Sequence, residues 1–238
     1  MDEATRVEEE AHILAHNYDY GRQLAEHGFV AFVPEQRGFG ERMETWPDMT
    51  RFVDGDPMWA CSCRAVAFNA MLMGKTAIGL RVWDVMRTID YIRSRPEDLT
   101  DDIGCLGLSG GGTTALFAAA LDPRITVAVV SGYLNTFRAS IMSIVHCECN
   151  YVPRILEYAE MSDIAGLIAP RPLLIEGGLQ DDIYPVQATE AAYEKVSEVY
   201  RLLGVPERLD KDIFPGPHQF SGRKAFGWLD RWLVVPSS

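Results

Sequence analysis

The chain has 238 residues, 47% of them hydrophobic, enough to bury the core of one α/β domain, so a single domain over 1–238 is expected. Its formal net charge of −12 would repel nucleic acid and anionic membrane surfaces, so neither is expected as a partner and a neutral or cationic small molecule fits better. No run approaches the apolar length of a membrane-spanning helix, and the acidic first residues show no secretory leader pattern.

Met1 to Glu10 is densely charged and is expected to fray. Leu14, Tyr18 and Leu24 then recur at helical spacing, which predicts one amphipathic helix over His12–Glu26, closed at His27-Gly28. On that reading His12, His16 and His27 are surface or helix-end residues. Phe29-Val-Ala-Phe-Val33 is a short apolar run, the mark of a buried strand in a parallel sheet. Next comes Pro34-Glu-Gln-Arg-Gly-Phe-Gly-Glu-Arg42, a glycine-punctuated loop in which Arg37 and Arg42 are expected to hold the loop through ion pairs rather than to bind substrate.

Met43 to Met73 lacks strict periodicity, and its aromatic side chains, Trp46 and Trp59 among them, are placed at the mouth of a pocket. Ile78, Val82, Val85, Met86, Ile89 and Ile92 form a helical stripe that ends at Arg95-Pro96. Ile103 to Leu106 reads as a strand running into Gly107-Leu-Ser-Gly-Gly111, and an alanine-rich helix follows at once. Strand, sharp turn and helix around G-x-S-x-G is the pattern of a nucleophile elbow. The glycines leave room for strand and helix to pack while Ser109 takes a strained conformation, and the free amides of the helix start, Gly110 first, point to where an oxyanion would form.

Ile125 to Val130 is another strand. Tyr133 to Ile168 reads as a mainly helical insertion, with Tyr133 placed among the substrate-binding residues. A strand at Pro172–Glu176 leads into an acidic loop carrying Asp181 and Asp182, either of which could serve as a catalytic acid, outside the carboxyl end of its strand. An amphipathic helix over Val186–Leu203 follows, then a strand at Asp212–Phe214, the turn Pro215-Gly-Pro-His218 and a last helix over Ser221–Leu233. A serine, an acid and a histidine thus each follow a strand in the order Ser109, Asp181, His218, the chain order of an α/β-hydrolase triad.

The five cysteines are an odd number, and Cys61/Cys63 and Cys147/Cys149 are each separated by one residue, an awkward spacing for a bridge within either pair. A reducing, cytoplasmic location is therefore expected. The two pairs could together hold a metal, but C-x-C supplies the tetrahedral spacing of a zinc site poorly and free cysteine usually behaves as a small buried hydrophobe. Neither a metal nor an organic cofactor is expected.

The segments 34–42, Gly107–Thr114, Cys149–Pro153, Ala169–Ile175, Gly178–Asp181 with Pro185, and Gly216–Phe220 resemble the dienelactone-hydrolase-like and acetyl-xylan-esterase-like group of α/β-hydrolases over nearly the whole chain. The resemblance implies a mostly parallel sheet with helices on both faces, Ser109 as nucleophile, Asp181 as acid and His218 as base. Dienelactone hydrolases proper use a cysteine nucleophile, so the serine here is more similar to the esterases, and a small ester substrate is implied. A serine peptidase-like activity or a non-catalytic binding role are the alternatives. In such proteins further strands and a His-Gly loop, which gives a second oxyanion donor, precede the first helix. Here they are expected to be missing, which leaves the Gly110 amide and a sheet edge that would favour a homo-oligomer.

Overall fold

Among the described residues four strands form the parallel sheet that positions everything else: the apolar runs β1 (Ile103–Leu108), β2 (Ile125–Ser131) and β3 (Leu173–Gly178), and the more polar edge strand β4 (Leu209–Phe214), hydrogen-bonded in the order β1-β2-β3-β4. A computed structural model describes residues 3–44, 61–95 and 101–233. The central strands are apolar at nearly every position because both faces are covered, and alternate residues serve opposite cores. Ala128 and Val130 of β2 join a core with α4 (Ala77–Ser94), α5 (Gly110–Leu121), α6 (Met161–Gly166) and α7 (Val186–Leu202). Val127 and Val129 face the other way, onto Trp228 and Leu229 of α8 (Ala225–Trp232). Among the described residues no helix is long and apolar enough to cross a membrane.

Several expectations change. The N-terminal segment is helical from Glu3, and the single helix expected over His12–Glu26 is two, α1 (Glu3–His16) and α2 (Tyr20–Glu26). They break at Asn17, whose φ of +57° no helix accommodates. Its amide fastens that break to the far end of the chain, donating to the carbonyls of Phe220 (3.3 Å) and Ser221 (3.4 Å). Within Met43–Met73 a helix, α3 (Cys63–Leu72), is present, and residues 45–60 lie outside the described residues. The insertion expected to be mainly helical at 133–168 is largely turns, with two short 3₁₀ segments and α6 as its regular structure.

Phe29–Val33 is not a strand. Val30 and Val33 are 66% and 73% exposed. A strand is held by its neighbour's backbone, and among the described residues no neighbour pairs with this one. Between it and the edge of β1 that no described strand pairs with lies a cleft of about 450 Å³, lined by Phe29, Ala31, Ile89 and Ile103 to Gly107. The following loop is tied down at its far end. Asp84 of α4 accepts from Arg37 Nε (2.7 Å) and Nη2 (2.9 Å) and from Arg42 Nη2 (2.9 Å), so both arginines hold the loop.

Two ionisable side chains, the half-buried Arg171 and the buried Glu176, secure the elements that carry the loops. Arg171 closes the carboxyl end of α5, its guanidinium donating to the carbonyls of Ala119 (2.6 Å), Asp122 (3.1 Å) and Ile125 (2.7 Å), the last carbonyls of a helix being otherwise unsatisfied. Glu176 lies in register with Ser131 on one side and Asp212 on the other. It accepts from the Gly222 amide (3.2 Å) while Asp212 accepts from Ser221 Oγ (2.6 Å), so two buried carboxyls hold the segment after residue 218. Burial pushes the Glu176 carboxyl up to about 7, with the Asp212 charge adding to the rise and the Ser131 hydroxyl and the Ser221 and Gly222 amides opposing it.

Arg171→Met should lower the unfolding free energy by about 2 kcal/mol, because three carbonyls lose a charged donor. Urea titration checks this, and an unchanged midpoint would count against the cap. A folded pKa above the ordinary 4.5 means that the native state holds the Glu176 proton through a range where the unfolded chain has released it. Its contribution is complete below pH 4.5 and is lost as pH rises through about 7. Glu176→Gln, which mimics the protonated side chain, should therefore match the parent in melting temperature at low pH and exceed it above neutrality. An equal difference at both ends would assign the pH dependence elsewhere.

Candidate active site

Ser109 sits between β1 and α5 with φ +54° and ψ −116°, a conformation that a side chain rarely adopts. Two glycines enforce it. A Cβ at Gly107 would lie 2.2 Å from the Gly111 carbonyl oxygen, and one at Gly112 would lie 2.5 Å from the Ser131 carbonyl oxygen. Gly110 and Gly111 have room for a side chain, so the second sterically required glycine of this elbow is Gly112, which G-x-S-x-G does not include. The turn is pinned by the Ser109 amide donating to Ser131 O (3.0 Å) and the Thr113 amide donating to Ser109 O (2.8 Å). Gly110 is the first residue of α5, where backbone amides have no partner within the helix.

The other two residues meet at the same rim. Asp181 is 7% exposed, and its Oδ1 accepts from the amides of Ile183 (2.9 Å) and Tyr184 (2.8 Å). Its Oδ2 lies 2.7 Å from His218 Nδ1. Asp182 is exposed, so of the two neighbouring acids it is Asp181 that the fold brings to the histidine. The loop carrying His218 is held by backbone bonds, Leu179 N to Phe214 O and Gln180 N to Gly216 O, each 2.9 Å. Its close approach requires Gly178, where a Cβ would meet the Pro217 carbonyl oxygen at 2.4 Å.

The imidazole of His218 packs against Gly132, where a Cβ would lie 3.0 Å from Cε1. Gly132 directly follows the residue whose carbonyl binds the Ser109 amide, so serine and histidine flank the same end of β2. The Nε2 of His218 is buried and has no hydrogen-bond partner among the described residues. The ring also stacks on Tyr184, with centroids 5.5 Å apart and planes at 26°.

Behind Tyr184 stands a wall that the sequence reading did not assign. Tyr184 Oη lies 3.1 Å from His146 Nε2, and His146 Nδ1 lies 3.0 Å from the Asn150 amide nitrogen. Asn150 Oδ1 in turn accepts from Thr113 Oγ1 (3.0 Å) in the first turn of α5. Burial pulls the His146 pKa down, the Cys147 backbone opposing and the His218 charge adding to the fall, and a neutral ring satisfies both neighbours. Nδ1 then accepts from Asn150 and Nε2–H donates to Tyr184.

Tyr133, expected among the substrate-binding residues, is 1% exposed. It packs beneath the elbow and against Tyr184 at 5.5 Å, so it sits in the core rather than on an open surface. Trp46 and Trp59 lie outside the described residues. The two cysteine pairs, 84 residues apart in the chain, do come together. The sulfurs of Cys63, Cys147 and Cys149 all lie within 4.8 Å of one another, Cys61 packs beside them without its sulfur belonging to that set, and all are free thiols.

The Bacillus subtilis (strain 168) protein named "Putative hydrolase YtaP" is 33% identical over 139 residues, which are 56% of this chain and 46% of that protein. The chain thus spans less than half the length of that relative. Among solved structures, a CE15 glucuronoyl esterase from Caldicellulosiruptor kristjansonii superposes with a TM-score of 0.56 at 21% identity, over 69% of this chain and 52% of that one. A protein named "putative acetyl xylan esterase" from Bacteroides fragilis NCTC 9343 does so with a TM-score of 0.58 at 18% identity, over 74% and 44%. At such identities the likeness concerns the fold, which is that of the α/β-hydrolases. A model of the dienelactone hydrolase family matches residues 10–200, and the chain belongs to that family.

Proposed function

We propose that this chain carries the site of a serine carboxylic-ester hydrolase that works through an acyl-enzyme. The observation that carries the reading is the 2.7 Å contact between the buried Asp181 carboxylate and His218 Nδ1, which leaves a buried Nε2 free at the rim where the strained Ser109 stands. That is the relation a base needs to its orienting acid and its nucleophile. Family membership and the fold shared with esterases support it.

In the first step His218 Nε2 takes the Ser109 hydroxyl proton as Oγ bonds to the substrate carbonyl carbon. The carbonyl π electrons move to oxygen, where the Gly110 amide and the start of α5 stabilise the charge. The tetrahedral species collapses, its C–O bond breaks, and the imidazolium gives its proton to the departing alcohol. Water then attacks the acyl-enzyme by the same route, with its proton passing to Nε2 and on to Ser109 Oγ as the acid leaves. Asp181 fixes the Nδ1–H tautomer throughout and stabilises the imidazolium. A small ester or acetylated compound is the substrate class.

A non-catalytic reading draws on one observation, the open cleft beside β1, where no described strand covers the edge of the sheet next to the elbow. A fluorophosphonate separates the two: an activated Ser109 is labelled, whereas an idle serine stays unmodified. For the catalytic reading, Ser109→Ala should abolish hydrolysis of p-nitrophenyl acetate, and parental turnover in that variant would dismiss the serine. Asp181→Asn should reduce kcat/KM by about 10³–10⁴-fold through the wrong tautomer, while Asp182→Asn stays close to the parent. Equal losses at the two positions would overturn the choice of acid.

A further inference from the structure

Two C-x-C pairs that are remote in sequence bring three sulfurs together, those of Cys63, Cys147 and Cys149, with Cys61 packed at the edge of the same cluster, and the surroundings are not those of neutral thiols. Cys63 and Cys149 are buried among Val66, Ala67 and Ala77, with Cys61 and Cys147 packed against the same cluster. The Cys147 and Cys149 sulfurs lie 3.0 Å apart, and the set of three spreads to no more than 4.8 Å. In a tetrahedron with metal–sulfur bonds of about 2.3 Å, neighbouring sulfurs would be roughly 3.8 Å apart, inside that spread. A disulfide within either pair is disfavoured by the spacing, and none is formed.

The second observation is a charge. Arg81 of α4 is 1% exposed, and no carboxylate pairs with it among the described residues. Its Nε and Nη2 donate to the Arg37 carbonyl (3.2 and 2.8 Å), and its guanidinium carbon lies 5.2 Å from the centroid of the Phe39 ring. Nη2 also donates to Cys63 Sγ at 3.2 Å. A guanidinium cannot shed its proton, and burying one without an anion is costly, so the partner it faces should be anionic. Thiolates are the anions at hand, and several thiolates side by side in an apolar pocket require a cation among them. From the other side the Asn150 amide approaches Cys149 Sγ at 3.6 Å, a second donor aimed at sulfur.

We propose that Cys63, Cys147 and Cys149, with the neighbouring Cys61 turning in as the fourth ligand, form a tetrathiolate site for a structural zinc ion, with Arg81 and Asn150 as its outer hydrogen-bond donors. Binding replaces four S–H protons, released to solvent, by four Zn–S bonds. The resulting centre is doubly negative, and the Arg81 charge offsets half of that. Four protein ligands leave no open position, so the ion braces the structure and takes no part in the hydrolytic chemistry, and the proposal stands independently of the catalytic reading. What it braces is specific. It joins the start of α3 to residues 147–149, and the adjoining His146 and Asn150 hold Tyr184 and Thr113 beside the candidate active site.

The test uses the whole chain, purified with reductant and without chelators, then incubated with zinc and desalted. Elemental analysis should find about one zinc per chain. Exchange for cobalt(II) should give sulfur-to-metal charge-transfer bands in the near ultraviolet with the intense visible bands of a tetrahedral thiolate site. Cys105→Ser should retain both signatures, and Cys149→Ser should weaken zinc retention and change the cobalt spectrum. Should Cys149→Ser fail to fold, the parent's own zinc content and cobalt spectrum decide the matter. Zinc far below stoichiometry together with no thiolate–cobalt bands overturns the proposal, as does peptide mapping that finds the two pairs cross-linked by disulfides in the parent kept under reductant.

Discussion

The positive φ of Ser109 is the constraint on which the rest of this structure depends. Holding a non-glycine residue there costs about 1–3 kcal/mol, and it persists where the surroundings over-determine it. Here β1 and α5 pack so closely that the backbone of Gly111 occupies the place of a Cβ at Gly107, while the Ser131 carbonyl excludes one at Gly112. That carbonyl also accepts from the Ser109 amide, so the elbow is braced by the neighbouring strand rather than by its own turn. At the opposite end of α5 Arg171 gathers three carbonyls, and the helix is held at both ends. A hydroxyl lifted clear of the sheet is the geometric product of these contacts.

The parallel sheet then decides which side chains can reach that hydroxyl. All four strands run the same way, so the loops after β1, β3 and β4 emerge at one rim. The buried row Ser131, Glu176 and Asp212 just below them is chemically expensive, since two carboxyls share a poorly hydrated place. They hold the segment after His218 by its backbone and the Ser221 hydroxyl, and Asn17 holds the same segment from the outside. The loop is thus fixed by contacts that leave His218 Nε2 without a partner among the described residues, while Asp181 and Tyr184 hold the ring.

How much of this could be read beforehand follows from which interactions are local. β1, β2 and β3 were legible as apolar runs, and Ser109, Asp181 and His218 as the residues that follow strands, because strand length and turn chemistry are written over a few adjacent positions. Phe29–Val33 has the same local signature and is not a strand, because pairing is a property of the neighbour and not of the run. The break at Asn17 hid inside an apolar stripe that continues across it. Helix α3 escaped notice because its apolar residues are not confined to one face, and the segment 133–168 because its packing is built from turns that carry no period. Gly112 lay outside the motif that named Gly107 and Gly111, since only the approach of the Ser131 carbonyl makes it necessary. The choice between Asp181 and Asp182 was equally closed to adjacent-residue reasoning, as it rests on which carboxylate the loop turns inward.

The cysteines are the extreme case of that limit. Judged by spacing within each pair they are poor ligands, yet a tetrahedral site built from two pairs asks only that two loops meet. Arg81 shows what that meeting entails. A buried guanidinium bound to a backbone carbonyl and an aromatic ring still lacks a countercharge, and Cys63 is the acceptor that can supply one. Neutral thiols would leave its charge uncompensated, whereas a metal-bound thiolate compensates it and gains a donor in return. The same arginine holds the loop at Arg37, whose own side chain is held by Asp84, so α4 is clamped to that loop at two points. From the cluster, directional bonds run through Asn150 to Thr113 in α5 and through His146 to Tyr184, on which the His218 ring rests. A site with no access to substrate would thus help determine where the imidazole lies, because a stacked ring can be no better placed than the ring beneath it.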